Sequence, residues 1–102
     1  MNKDVLGFLG LAFRARALIT GTELVLGSIR GQKVHFVLIA SDVSAGTFKK
    51  VTDKCHTYGV QYLQVTSDVD LGKAIGKDSR KIIGITDAKF AKTLKKKLGI
   101  EN

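Results

Sequence analysis

The segment from Gly72 to Lys77 has the spacing closest to a chemical motif, since two glycines and a lysine invite comparison with a phosphate-binding loop. A P-loop needs four residues between its glycines, and a Ser or Thr after the lysine to hold magnesium. Here three residues separate Gly72 from Gly76, and Asp78 follows Lys77. A carboxylate at that position would repel phosphate. The pattern therefore argues against nucleotide hydrolysis, and it favours helix packing and a helix end as the roles of the two glycines.

Cysteine, histidine and acidic residues give no catalytic or metal-binding pattern. Cys55 and His56 are neighbours in a predicted helix, where adjacent side chains point about 100° apart. One cysteine and two histidines without close spacing do not make a zinc site. Asp68 and Asp70 are better explained as helix caps than as an acid and base couple. We therefore predict a protein that is not an enzyme, with no catalytic residues, metal, cofactor or small-molecule substrate.

Positive charge is the clearest chemical signal. The 102 residues contain 17 Lys and Arg against 9 Asp and Glu, which leaves a net charge of +8. Such a field attracts polyanions, and nucleic acid is the first candidate, although charge alone does not separate RNA from DNA. The basic residues gather in four places: the 77–81 segment, Arg14 with Arg16, Arg30 with Lys33, and the last helix from Lys89 to Lys97. A loop beside a strand end is the usual place for binding residues, whereas a lysine-rich helix is more often a solvated face.

Several features favour a cytoplasmic protein without membrane contact. The longest apolar run, 36–40, is far shorter than the roughly 18 residues that a spanning helix needs. The N-terminus lacks a signal-peptide pattern, and the single Cys55 cannot form an internal disulfide.

The few aromatic residues bear on the class of ligand. Five Phe and two Tyr do not form the interleaved stacking platform of single-strand binders. Structured RNA, contacted through loops and its backbone, is therefore the predicted ligand.

The elements that must position these residues alternate between helix and strand. Hydrophobic periodicity predicts helices over 4–15, from Gly21 to near Gly31, over 44–59 and 67–76, and from 87 onward. Predicted strands cover 18–20, 34–41, 60–66 and 81–86. This alternation predicts a single domain over 1–102 with a three-layer α/β/α sandwich around a central mixed sheet of about four strands. The strand order stays open.

The same periodicity predicts which side chains face the core. The apolar faces of the first two helices consist of Val5, Leu6, Leu9, Ala12 and Phe13, and of Leu24, Val25, Ser28 and Ile29. The nearly continuous apolar run of the second strand predicts that helices cover both of its faces.

Several segments also carry a family resemblance. They are Gly21 with its helix, 37–43, Cys55, 59–62 and 71–76. Together they resemble the ribosomal protein L7Ae family, whose relatives include the L30e proteins and the box C/D core proteins, over nearly the whole chain. The segments 14–16, 49–55 and 75–77 look most like its bacterial YlxQ branch. The resemblance implies the α/β/α sandwich and RNA binding, which in characterised members is directed at kink-turn RNA, a sharply bent helix with sheared G·A pairs.

The resemblance also implies where RNA would lie. In the family, an Asn-Glu-x-x-Lys motif at the start of the second helix enters the groove at the sheared pairs. The loop before the last strand covers a flipped-out nucleotide. Aligned without a gap, Glu23, Leu24 and Gly27 stand at the Asn, Glu and Lys positions. Glu23 cannot donate as an amide does, Leu24 cannot accept a hydrogen bond, and Gly27 lacks the charge that contacts phosphate.

The 77–81 loop is more basic than the apolar loop of the usual kink-turn binders, so we expect an RNA footprint that relies more on charge. The predicted RNA-binding residues are Gly21, Thr22, Glu23, Leu24, Gly27, Arg30, Ser41, Asp42, Lys77, Ser79, Arg80 and Lys81. The expected partners are structured or ribosomal RNA, with ribosomal proteins as a further class. The alternative is a protein-interaction module of the same fold that has lost kink-turn binding.

Overall fold

Helices and strands alternate through the part of the chain that the structure, a computed structural model, describes, residues 1–100. In chain order the elements are α1 (Lys3–Arg14), β1 (Leu18–Thr20), α2 (Thr22–Arg30), β2 (Phe36–Ile39), α3 (Ala45–Tyr58), β3 (Gln61–Gln64), α4 (Asp68–Ala74), β4 (Ile82–Ile85) and α5 (Ala88–Lys97). Every predicted helix and strand is present, and three of the four strands are shorter than predicted.

The four strands form one mixed sheet in the order β1-β4-β2-β3. β2 and β3 are parallel, whereas β4 runs antiparallel to both β1 and β2. Thr20 at the end of β1 pairs with Ile83, and Ile39 at the end of β2 pairs with Ile82. The ends of β1 and β2 therefore lie beside the start of β4 at one end of the sheet. The segments that follow β1 and β2 and the segment that precedes β4 lie side by side there.

Two helical layers cover the sheet, which confirms the three-layer sandwich. Side chains of β2 alternate between the two faces, as strand geometry requires. Phe36 and Leu38 pack with α1, α4 and α5, while Val37 and Ile39 pack with α2 and α3. All four side chains of β2 are fully buried, so the prediction that this strand is covered on both faces is confirmed.

Side-chain caps begin several helices at the predicted places. Ser44 accepts a hydrogen bond from the Thr47 amide at 3.1 Å, and Ser67 accepts one from the Asp70 amide at 3.2 Å. Asp87 accepts from two amides at the start of α5, at 2.9 and 3.0 Å. These oxygens satisfy amides that have no partner within the helix.

The predicted burial of Phe13 and Leu24 is wrong. Leu24 is 57% exposed because α2 buries Val25, Leu26 and Ile29, and Leu24 points away from that stripe at 100° per residue. Phe13 is 36% exposed, because it lies in the last turn of α1 beside the loop that follows α4. Two large apolar side chains thus become available at the surface.

Candidate nucleic-acid interface

Three connecting segments meet where β1 and β2 end and β4 begins. The Gly21 amide donates to the Ile82 carbonyl at 3.1 Å, and the Ala40 amide donates to the Lys81 carbonyl at 2.8 Å. These bonds place the start of α2, the segment after β2 and the segment before β4 against one another. We call this region the loop edge and define it as Gly21 and Thr22, Ser41 and Asp42, and the 79–81 segment.

Arg80 lies across the loop edge and is held from both sides. Its Nε donates to the Thr20 hydroxyl at 3.1 Å, and another guanidinium nitrogen donates to the Ser79 carbonyl. The Arg80 backbone amide donates to the Asp68 carbonyl at 2.8 Å. The side chain is half-buried, whereas Lys81 is exposed. Arg80 therefore presents a pre-positioned charge, and Lys81 presents a mobile one.

Asp42 braces the loop edge rather than acting as a free acid. One oxygen of its carboxylate accepts a hydrogen bond from the Asp68 amide at 3.0 Å, at the first residue of α4. The Ser41 amide donates to the Thr66 carbonyl at 2.7 Å, and the Gln64 amide group donates to the Ala40 carbonyl at 3.2 Å. Ser41 and Asp42 remain exposed, on a backbone that these hydrogen bonds tie to its neighbours.

Gly72 fixes the basic loop against α4. A Cβ at Gly72 would lie 2.5 Å from both the amide nitrogen and the Cα of Ser79, a distance that Cβ atoms do not tolerate. The Lys77 amide also donates to the Gly72 carbonyl at 2.8 Å. This close approach confirms that Gly72 serves helix packing, and it holds the half-buried Ser79 with its backbone against the helix.

The start of α2 is open to solvent on its outer face. Gly21 precedes it with φ of +102°, a conformation that favours glycine, and no side chain caps the first turn. Leu24 and Gly27 are exposed, and a Cβ on Gly27 would meet no heavy atom within 4 Å. Glu23 pairs with Lys50 of α3 across 3.5 Å on the protein surface. Such an exposed ion pair stabilises the fold little, so both groups are free to exchange partners.

The structure brings most of the predicted residues together and separates two of them. Arg30 is the last residue of α2, about 12 Å along the axis from Thr22 at 1.5 Å per residue. Lys77 lies at the far end of its loop, with Nζ 5.5 Å from the ring centroid of Phe13 on α1. Arg30 shares the exposed outer face of α2 with Glu23 and Gly27 but lies at its far end. The group at the loop edge or on the nearer turns of that face is Gly21, Thr22, Glu23, Leu24, Gly27, Ser41, Asp42, Ser79, Arg80 and Lys81.

Sequence reasoning missed Thr20, Asp68 and Lys50. Thr20 and Asp68 hold Arg80 in place, and Lys50 lies beside Glu23. Thr20 directly precedes Gly21, and this adjacency was the one usable signal in the sequence. The contact between Thr20 and Arg80 joins residues 60 positions apart and depends on the order of strands in the sheet.

Within residues 1–100, the surroundings of Cys55 are those of a core residue, and the acids form no cluster that could bind a metal. Cys55 is fully buried on the inner face of α3, against the sheet, and the loss of water around it raises the pKa of its thiol to about 11. No three His, Cys, Asp or Glu residues in this range cluster closely enough to hold a metal ion. Within the same range, no helix is long and apolar enough to cross a bilayer.

The sheet order, the two helical layers and the cationic loop edge define a small basic α/β/α sandwich of the kind suited to a polyanionic partner. The chain belongs to the ribosomal protein L7Ae/L30e/S12e/Gadd45 family, whose family model matches residues 3–95. This membership confirms the resemblance found in the sequence.

Two curated relatives are similar over most of their length. The chain is 46% identical over 86 residues to the RNA-binding protein YlxQ of Bacillus subtilis strain 168, which covers 84% of this chain and 86% of the relative. It is 43% identical over 94 residues to the RNA-binding protein YlxQ of Enterococcus faecium, which covers 92% and 90% of the two chains. The similarity to the YlxQ branch is thereby confirmed.

Solved structures share the fold. A protein of unknown function from Bacillus halodurans superposes with a TM-score of 0.88 at 41% identity, covering 91% of this chain and 94% of that one. A 15.5 kD RNA binding protein of Giardia lamblia superposes with a TM-score of 0.81 at 19% identity, covering 97% and 88%. At that identity, the second likeness shows the fold alone.

Proposed function

We propose that this protein is a non-catalytic RNA-binding protein that recognises structured, kink-turn-like or ribosomal RNA. The binding surface is the start of α2 together with the basic loop before β4. One observation carries the proposal: Arg80 and Lys81 lie beside the open start of α2, in a chain with a net charge of +8. Relatives at 43–46% identity that are named RNA-binding proteins support it.

The charges of the basic loop are available to phosphate. Within residues 1–100 the lysines that pair with carboxylates are Lys49, Lys50 and Lys97. Lys77, Arg80 and Lys81 have no carboxylate within 4 Å in that range. Because a phosphate must otherwise displace an existing acid, this arrangement favours contact with the RNA backbone.

The replaced signature changes how α2 meets its ligand. The uncapped amides in the first turn of α2 attract phosphate, and Glu23 opposes that attraction. Leu24 offers an apolar surface to a ribose or a base, where the family motif has a hydrogen-bonding carboxylate. Recognition on this proposal depends on RNA shape and backbone charge more than on hydrogen bonds to base edges.

A cytoplasmic setting fits this function, because ribosomal and other structured RNAs are present there, and ribosomal proteins are then natural neighbours.

The RNA class is tested by measuring the affinity of the purified protein for four ligands: a kink-turn RNA, a matched straight RNA duplex, single-stranded RNA and duplex DNA. The proposal predicts that the kink-turn RNA binds most tightly. Equal affinity for all four would leave only a generic basic surface.

A protein-interaction module is the second candidate, because Leu24 is a large exposed apolar side chain at a position where the family motif is charged. Under this alternative, Leu24→Lys abolishes capture of a ribosomal-protein partner and leaves RNA affinity unchanged. Under the RNA proposal, the same change alters kink-turn affinity.

A further inference from the structure

A groove separates α1 from the end of α4, on the helical layer opposite α2 and α3. Its lining includes Gly7, Gly10, Phe13, Arg14, Ala74 and Gly76, and its volume is about 360 Å³. We call it the Phe13 groove. It begins where the basic loop leaves α4, so the loop connects it to the loop edge.

Glycines shape the floor of this groove. A Cβ on Gly10 would lie 2.8 Å from the Ala74 carbonyl oxygen, so glycine is what allows the two helices to touch. A Cβ on Gly7 would meet nothing within 4 Å, so the groove opens there. The floor is therefore backbone, with room above it for a flat group.

An exposed aromatic ring and unpaired cations surround that floor. Phe13 is 36% exposed and belongs to neither core cluster. The Lys77 Nζ lies over a face of this ring, 5.5 Å from its centroid, so a base that stacks on that face takes the place of the ammonium; Arg14 lines the same groove. Neither cation has a carboxylate within 4 Å in residues 1–100. Asp78 follows Lys77 directly in the chain, but it is exposed and forms no ion pair with Lys77.

We propose that the Phe13 groove binds one unpaired nucleotide, with its base stacked on the Phe13 ring and its phosphate held by Arg14 and Lys77. An aromatic face beside two cations is the combination that single-stranded nucleic acid uses. The volume lies at the lower end of the range of small-ligand pockets, a size that suits one nucleotide. The site goes beyond the proposed function, because it needs only an unpaired strand.

The test follows glycine amides by NMR in ¹⁵N-labelled protein. Gly7, Gly10 and Gly76 report on the groove, whereas Gly21 and Gly27 report on the start of α2. Single-stranded tetrauridylate is the probe, and tripolyphosphate is the control for charge alone. The proposal predicts that tetrauridylate shifts the groove glycines and that tripolyphosphate shifts them much less.

Three variants isolate the contacts. Phe13→Ala removes the stacking face and is expected to weaken tetrauridylate binding about tenfold. Leu11→Ala is its matched control, because Leu11 is 48% exposed on the same helix but lies toward α5, outside the groove. Gly7→Leu places a side chain in the groove; its Cβ would meet nothing within 4 Å and leucine improves helix propensity, so the change is expected to block binding, with circular dichroism as the check that the variant is folded.

The outcomes separate this proposal from the function proposed above. If kink-turn RNA shifts the α2 glycines while tetrauridylate leaves the groove glycines unmoved, the groove proposal is wrong and the proposed function stands. If tetrauridylate shifts the groove glycines while kink-turn RNA leaves those of α2 unmoved, the groove proposal stands and the proposed function is wrong. Equal shifts with tripolyphosphate, unaffected by Phe13→Ala, would also overturn the nucleotide assignment.

Discussion

Gly27 is the residue at which the replaced signature is easiest to examine. It lies exposed on the outer face of α2, and a side chain there would meet nothing within 4 Å. The position has lost the lysine of the family motif but has kept the space for it. A charge restored here would point away from the protein, toward any RNA that follows the start of α2.

The change Gly27→Lys is expected to raise kink-turn affinity severalfold, because it adds one phosphate contact to the binding surface. It should also raise the free energy of unfolding by about 0.5–1 kcal/mol, since glycine is a poor helix former. Gly27→Gln is the matched control, as it improves the helix without adding charge. Fluorescence anisotropy against a labelled kink-turn RNA measures the effect. A gain in stability without any gain in affinity would mean that α2 does not face RNA.

Cys55 gives a chemical test of the core at the residue scale. Burial raises the pKa of its thiol to about 11, above the ordinary value of 9.0. At pH 8 the reactive thiolate is then about a hundredfold rarer than in an unfolded chain. Alkylation by iodoacetamide, followed by mass spectrometry, should be at least that much slower in the native protein than in urea. Equal rates in the two conditions would show that the inner face of α3, which carries Cys55, is not buried against the sheet.

At the scale of elements, α4 and the loop after it behave as one unit. Gly72 is what allows this, since the loop backbone at Ser79 lies against the helix. The loop in turn presents Arg80, which bonds to Thr20 of β1. A change in helix packing should therefore reach the proposed RNA surface.

The change Gly72→Ala is expected to lower the free energy of unfolding by about 1–3 kcal/mol, because the loop must move away from an added methyl group. RNA affinity should fall as well, as Arg80 loses its fixed position. Gly46→Ala is the control: Gly46 lies in α3, where an added Cβ would meet nothing within 4 Å, and alanine there should stabilise the helix slightly. Urea denaturation and RNA titration measure both effects. Unchanged stability in Gly72→Ala would refute the packing role.

The order of elements could be predicted from the sequence, because caps such as Ser44, Ser67 and Asp87 and the apolar run of β2 are local signals. The strand order could not, since β4 inserts between β1 and β2 through pairings far apart in the chain. The same limit applies to the site. The glycines and the basic loop were visible in the sequence, whereas the bond from Arg80 to Thr20 depends on the pairing of β1 with β4. Phe13 was misassigned because helical periodicity does not show where a neighbouring helix ends.

At the scale of the whole molecule, the charge is unevenly distributed. Lysines on α5 are numerous, but the Lys95 Nζ lies 5.5 Å from the ring centroid of Phe36, at the end of β2 opposite the loop edge, and Lys97 is paired with Asp4 at 2.9 Å. We therefore propose that the α5 lysines form a solvated face and that the specific RNA contacts lie at the loop edge.

Neutralising the charges of the basic loop tests whether RNA contacts the loop edge and not the lysines of α5. The double change Arg80→Gln and Lys81→Gln should weaken RNA binding and flatten the plot of log affinity against log salt by up to about two units, at roughly 0.9 per phosphate contact on a duplex. The α5 double change Lys92→Gln and Lys96→Gln removes the same charge as a matched control, and a much smaller effect is expected. Equal effects from both pairs would contradict the assignment of the site to the loop edge.

The ratio of kink-turn affinity to straight-duplex affinity, measured at two salt concentrations, tests the central claim most directly. Recognition of RNA shape by a pre-positioned edge predicts that the kink-turn RNA binds more tightly and that this preference persists at the higher salt, although both affinities fall. A ratio near one at either salt concentration would contradict the claim and would leave a basic surface without selectivity for structured RNA.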